Sequence, residues 1–174
     1  QIAVQASLTG HLVLSTVHTN DAAGAITRLR DMGVEPFLLA STLRLIVAQR
    51  LVRRLCGDCR RPEAADKPTA KLAGVKVGQT VWRPLGCSQC GQTGYVGRVG
   101  LYEVIRVDDR VRRLIAAEGG EEAINAVAFA GAETLTQRAR TLVLEGITSV
   151  EEAVRVTRQE TGDAHDPVPS EAAA

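Results

Sequence analysis

The chain has 174 residues, of which 45% are apolar and 24% are charged, a composition typical of globular domains that excludes wholesale disorder. The 21 basic residues nearly balance the 20 acidic ones, and aromatic residues make up only 3%. Neither a strongly basic protein that wraps nucleic acid nor an aromatic platform for single strands is therefore expected.

The first residues alternate between helix-like and strand-like patterns. Residues 1–8 predict a helix that Gly10 ends, because glycine readily adopts the left-handed conformation at a helix C-terminus. Residues 11–18 form a short, mostly apolar and β-branched run, which predicts a buried strand. Because the chain begins at Gln1 inside the helix-like stretch, we expect it to be a fragment of a longer protein.

Two helices and a second strand follow. Polar residues 19–21 supply an N-cap for a helix that ends at Gly33, and Pro36 begins the next helix. Residues 45–52 predict a strand, although their pattern also fits a helix.

The middle of the chain breaks this pattern. Residues 53–96 contain all four cysteines, three prolines and six glycines, and show little hydrophobic periodicity. Residues 97–105 are strand-like again, and from Asp108 onward apolar residues recur at helical spacing in four successive segments. The last of these begins at Thr148 and Ser149 with a capping-box pattern.

This order predicts the α/β fold class, as part of a layered domain rather than a whole one. The predicted units are a core over residues 1–52, an insert over 53–96, a returning core strand over 97–107, a helical region over 108–161 and a disordered tail over 162–174.

The four cysteines form two CxxC pairs. Cys56 and Cys59 are separated by 27 residues from Cys87 and Cys90. Two such turns supply the four thiolates that a tetrahedral zinc ion needs, and four protein ligands leave no open coordination position. The pattern therefore predicts a structural zinc site that stabilises an insert with few large apolar residues. The alternatives are a redox dithiol, which normally uses one CxxC, and a disulfide framework.

Two histidines bracket the first predicted strand. His18 lies at its carboxyl end, just before a helix N-terminus, where ligands and phosphate groups bind in open α/β sheets. His18 is therefore a candidate phosphate contact, and a histidine that only bonds the backbone is the alternative. His11, at the strand start, lies roughly 23 Å away in a regular strand, so the two cannot share one small ligand.

Residues 44–61 carry six arginines and one aspartate, a local net charge of +5. Such a stretch binds phosphate, acidic lipid or an acidic partner, or else is simply a solvated face. No GxxxxGK[ST] motif occurs in the chain, so these residues alone contain no P-loop.

Several blocks resemble the type II secretion and type IV pilus assembly ATPases, in the same order as in that family. The first is the run TGHLVLSTVHTNDA, which resembles the family's histidine box. The matching blocks are residues 9–22, 31–37, 48–56, 94–103 and 144–149.

The resemblance implies a RecA-like P-loop NTPase fold that works as a homo-hexamer at the cytoplasmic face of a bacterial inner membrane, against secretion platform proteins. It implies hydrolysis of ATP with Mg²⁺ to assemble a pseudopilus or a pilus, and it implies no nucleic-acid partner. Within it, residues 1–52 are the C-terminal part of the ATPase core. His18 takes a phosphate-sensing or site-coupling role, and His11 is the second candidate.

The four cysteines resemble the zinc-binding element of the secretion and pilus-extension members, which pilus-retraction members generally lack. The family's P-loop, acidic boxes and Walker B carboxylate would lie before Gln1. We therefore predict that this fragment alone neither binds ATP tightly nor hydrolyses it. The alternatives are a type IV pilus extension ATPase and a non-enzymatic, zinc-stapled module that binds nucleic acid or an acidic protein.

Overall fold

The computed structural model describes residues 2–19 and 21–157. These residues form the following elements in chain order: α1 (Ile2–Leu8), α2 (Ala22–Asp31), α3 (Pro36–Thr42), β1 (Leu45–Leu55), β2 (Arg61–Ala64), α4 (Lys67–Ala73), β3 (Thr80–Arg83), a 3-10 turn (Ser88–Cys90), β4 (Tyr95–Arg106), α5 (Asp109–Ala116), α6 (Glu121–Ala128), α7 (Leu135–Leu144) and α8 (Val150–Thr157).

The central element is an antiparallel ribbon of β1 and β4. Leu45 lies opposite Arg106 at one end and Leu55 lies opposite Tyr95 at the other, with a register shift just before Leu55. Alternate side chains point to opposite faces, so Val52 and Leu101 are fully buried on the inner face. Both strands were predicted, and each extends beyond its predicted bounds because the two strands pair along their whole length.

A smaller ribbon lies within the cysteine-containing insert. Strands β2 and β3 pair antiparallel, and helix α4 lies between them in the chain. Buried residues of this part, Ala70 and Val81 among them, belong to the same hydrophobic cluster as Val150 of α8. The insert therefore shares its apolar core with the C-terminal helices.

The C-terminal segments are helical, as predicted. Asp108 caps α5 by accepting hydrogen bonds from two backbone N–H groups, and Thr134 with Gln137 forms a capping box at α7. The apolar stripes face the core, with Ile115, Ile124 and Leu142 almost completely buried among them.

The strand predicted over residues 11–18 is wrong. Residues 11–19 form neither helix nor strand, and Leu12 and Leu14 are each 87% exposed. A β-strand requires a hydrogen-bonded neighbour, and β1 pairs with β4 and β2 with β3 among the residues that the structure describes. The composition of residues 11–18 favours extended structure, but among the described residues no strand pairs with this segment.

The predicted disordered tail over residues 162–174 lies outside the described residues, as does the end of the predicted helical region. Among residues 2–19 and 21–157, no helix is both long enough and apolar enough to cross a lipid bilayer.

Candidate metal centre and histidine segment

The four cysteines meet at one end of the large ribbon. Cys56 directly follows β1 and its N–H group donates to the carbonyl of Gly94, the residue just before β4. Cys59 follows one turn later, while Cys87 precedes the 3-10 turn and Cys90 is its last residue. The pairing of β1 with β4 thus brings together two CxxC turns that are far apart in the sequence.

Their sulfur atoms are spaced as the corners of a small tetrahedron. The Sγ–Sγ distance is 3.8 Å for Cys56 and Cys87, 3.9 Å for Cys59 and Cys90, and 3.7 Å for Cys87 and Cys90. All four sulfurs lie within 4.8 Å of one another, and the four cysteines are free thiols. A tetrahedron with Zn–S bonds of about 2.3 Å has edges of about 3.8 Å, so the sulfur positions fit this ion.

Backbone N–H groups surround Cys90. The amides of Cys87 and Gly94 donate to its Sγ at 3.2 Å and 3.1 Å. Burial by itself raises the pKa of the Cys90 thiol, but these two amides and the neighbouring thiols outweigh it and lower the pKa to about 6. Amides directed at sulfur stabilise the thiolate, which is the form that binds metal.

Two positions beside the sulfurs require glycine, because neighbouring residues lie too close to leave room for a Cβ atom. Gly86 has φ +97°, and a Cβ there would lie 2.6 Å from the carbonyl oxygen of Gln92. Gly94 has φ +77°, and its Cβ would lie 2.4 Å from the Cβ of Pro84. Both positions therefore exclude larger residues, which explains the glycines that border the second CxxC turn.

This arrangement suits a structural centre better than a catalytic one. Cys56, Cys59 and Cys90 are buried and Cys87 is half-buried, and all four ligand positions come from protein sulfur. A metal held there has no free position for a substrate.

Both predicted histidines lie in residues 11–19, which we call the histidine segment. His18 is exposed near Thr19, whose carbonyl accepts a hydrogen bond from the Arg50 guanidinium at 3.3 Å. Asp21 then caps α2 by accepting from the N–H of Gly24 at 2.6 Å. His18 thus lies three positions before the N-cap residue of α2 in the sequence.

His11 lies elsewhere in the histidine segment. It is exposed, and its Nδ1 lies 3.1 Å from the hydroxyl of Thr9.

The arginine-rich stretch does not form one basic patch. Arg53 pairs with Glu152 at 2.8 Å, while Arg60 stacks on Trp82 and donates to the carbonyl of Gly146. With Arg50 bonded to Thr19, at least three of the six arginines are engaged in contacts within the chain.

Two buried carboxylates were missed by sequence reasoning. Glu103 on β4 is 5% exposed and Glu152 on α8 is 1% exposed. For Glu103, the one signal in the sequence was its position, because it follows Val99 and Leu101 on the same face of a strand-like segment. For Glu152 the capping-box pattern was visible, but its carboxylate binds Arg53 and Arg155 instead of the helix start.

Comparison with known proteins identifies relatives over most of the chain. The family model described as "Type II/IV secretion system protein" matches residues 1–155. The chain is 52% identical over 166 residues to a Type II secretion system protein E of Klebsiella pneumoniae, covering 94% of this chain and 33% of that protein. It is 50% identical over 161 residues to a Type II secretion system ATPase E of Vibrio cholerae, covering 91% and 32%.

A solved structure shares the fold. The pilus retraction motor PilT, crystallised with ADP, superposes with a TM-score of 0.59 at 22% identity, over 89% of this chain and 35% of that one. This likeness confirms an α/β fold resembling that of PilT. The chain spans about a third of the length of the relatives that it matches. The family resemblance read from the sequence blocks is confirmed: this chain belongs to the type II/IV secretion system protein family.

Proposed function

We propose that this chain is the C-terminal part of the cytoplasmic ATPase that powers type II protein secretion by driving pseudopilus assembly. The observation that carries the proposal is identity of 50–52% to proteins named for type II secretion, one of them as an ATPase. These names favour type II secretion over pilus extension. The likeness to PilT supports the fold alone, because identity there is 22%.

In this proposal the chain supplies part of a RecA-like domain, and the P-loop, the Walker B carboxylate and the Mg²⁺ site come from upstream residues of the full-length protein. That protein is a homo-hexamer that works on the cytoplasmic side of the inner membrane with platform proteins. Phosphoryl transfer depends mainly on positioning and charge stabilisation by the phosphate-binding groups. His18, exposed beside the start of α2, would contact phosphate there or report its presence.

We also propose that Cys56, Cys59, Cys87 and Cys90 hold a structural Zn²⁺ ion. The sulfur spacing, the burial of three cysteines and the amides directed at Cys90 support this. The ion would supply folding free energy to the end of the large ribbon, and no reaction step passes through it.

Steady-state ATP turnover by the purified full-length protein tests the function. We expect Mg²⁺-dependent hydrolysis by the wild type and none by residues 1–174 alone. His18→Ala should lower kcat on the order of 10²-fold, the usual loss when one donor to a transition-state oxyanion is removed. His11→Ala, in the same segment but with its ring beside the Thr9 hydroxyl, serves as the comparison.

Equal metal content and oligomeric state in wild type and His18→Ala would show that the fold is intact. Absence of ATP turnover in the full-length protein would contradict the proposed reaction. Turnover by the isolated fragment would contradict the assignment of the phosphate-binding groups to upstream residues, and an unchanged kcat in His18→Ala would contradict the role proposed for His18.

A further inference from the structure

Glu103 is a buried carboxylate that serves the N-termini of two helices at once. Its Oε1 accepts from the backbone N–H of Ala22, the first residue of α2, at 3.2 Å. Its Oε2 accepts from the N–H of Leu135, the first residue of α7, at 3.0 Å. These contacts join residues 81 and 32 positions away in the sequence, so neither is a local cap.

Both oxygens of the Glu103 side chain thus accept from N–H groups at helix starts. The first N–H groups of a helix have no partner within the helix and lie at its positive dipole end, so they are suitable donors to a carboxylate. A buried carboxylate is costly unless both oxygens are satisfied, so each helix start depends on the other for the position of Glu103.

The large ribbon also holds the start of α2 from a second side. Arg50 and Glu103 project from the same inner face, because Arg50 lies opposite Leu101 and Glu103 is two residues further along β4. Arg50 donates to the carbonyl of Thr19, the neighbour of His18, while Glu103 accepts from Ala22. Arg50 and Glu103 of the ribbon thus contact the backbone at Thr19 and at Ala22, respectively.

We propose that Glu103 is a positioning residue for the proposed ATPase, a shared cap that fixes the start of α2, four residues after His18, relative to helix α7. The effect on turnover rests on the proposed function, whereas the capping of both helices does not. A displacement of α7 moves the Glu103 carboxylate and with it the start of α2. Glu103 therefore couples the C-terminal helical region to the histidine segment.

The test uses the full-length protein with Glu103→Gln, which keeps the shape but replaces one acceptor oxygen by a donor group. Thr134→Ala is the matched control, because it removes the capping box of α7 and leaves α2 untouched. Two readouts are measured: amide hydrogen exchange in the first turns of α2 and α7, and kcat and KM for ATP.

In Glu103→Gln, which keeps one acceptor oxygen, we expect exchange at least tenfold faster in the first turn of at least one of the two helices. In Glu103→Ala, which keeps neither oxygen, we expect this increase in both helices, with β1 and β4 unchanged. In Thr134→Ala only α7 should change. Because His18 would act on the transition state, Glu103→Gln should lower kcat at least fivefold with KM within twofold of wild type. In a His18→Ala background it should lower kcat no further.

In Glu103→Ala, faster exchange at one helix alone, or equally along both strands of the ribbon, would overturn the shared cap. Faster exchange at both helices with unchanged kcat would overturn the link to turnover. If Glu103→Gln does not fold, Glu103→Asp, which is one methylene shorter, should show the same exchange pattern, and a wild-type pattern there would refute the proposal. Wild-type protein without ATPase activity would contradict the proposed function, while the exchange result would still decide the capping.

Discussion

Replacing Cys59 with serine is expected to abolish metal binding and to destabilise the chain by several kcal/mol. The four sulfurs already lie at tetrahedral spacing, and bound zinc contributes on the order of 10 kcal/mol to modules of this kind. Serine does not supply the thiolate that zinc prefers. The effect should extend beyond the cysteine turns, because Ala70 and Val81 of the insert share a hydrophobic cluster with α8.

Metal content by native mass spectrometry and thermal unfolding check this prediction. Wild type should carry one zinc ion per chain, and a strong chelator should lower its Tm to that of Cys59→Ser while leaving the variant unchanged. Gln89→Ala, an exposed position within the second CxxC turn, controls for substitution in the turn itself. A wild-type Tm that stays unchanged when the chelator removes the metal would rule out a structural zinc centre.

Glu152→Gln is expected to lower the free energy of unfolding by about 3 kcal/mol near neutral pH. The Glu152 carboxylate lies 2.8 Å from the Arg53 guanidinium and 3.0 Å from that of Arg155, and it also accepts from the Arg53 backbone N–H at 2.9 Å. Burial by itself raises the pKa of Glu152, but the two arginines and the Arg53 amide outweigh it and lower the pKa from 4.5 to about 2. A lowering of this size corresponds to about 3 kcal/mol at 1.36 kcal/mol per pKa unit.

The sign of the pH dependence follows from the lowered pKa. The folded state favours the ionised carboxylate, so this contribution is fully present above about pH 5 and is lost as the pH falls toward 2. Urea unfolding of wild type and Glu152→Gln between pH 7 and pH 2.5 should therefore show a difference in unfolding free energy that shrinks with acidification. Glu151→Gln, the exposed neighbour on α8, is the matched control and should change stability little. A difference in unfolding free energy that stays constant over this range would show that the charge of Glu152 does not contribute to stability.

This network also links α8 to the cysteine cluster. Arg53 stacks on the ring of Tyr95 at 4.1 Å, and the Tyr95 hydroxyl lies 2.8 Å from that of Ser149. The Thr148 hydroxyl donates to the carbonyl of Arg53 at 2.8 Å. Tyr95 begins β4 just after the second CxxC turn, so the docking of α8 and the closure of the cysteine cluster involve the same end of the large ribbon.

The elements that the sequence predicted correctly depend on local patterns. The apolar stripes of α5 to α8, the cap at Asp108 and the alternation in β1 and β4 are decided by residues near one another in the chain. The two CxxC pairs were also readable, because each pair lies within one turn and cysteine has few other roles at that spacing. The family could be predicted for a related reason, because continuous blocks of residues resemble the family's blocks.

Long-range contacts decided the rest. The strand predicted over residues 11–18 has suitable residues, but a strand exists only with a partner, and pairing is not a property of one segment. Likewise, Glu103 and Glu152 look like ordinary surface acids in the sequence. Only the tertiary structure brings Ala22 and Leu135 to the first and Arg53 to the second, and those distant donors make burial of each carboxylate favourable.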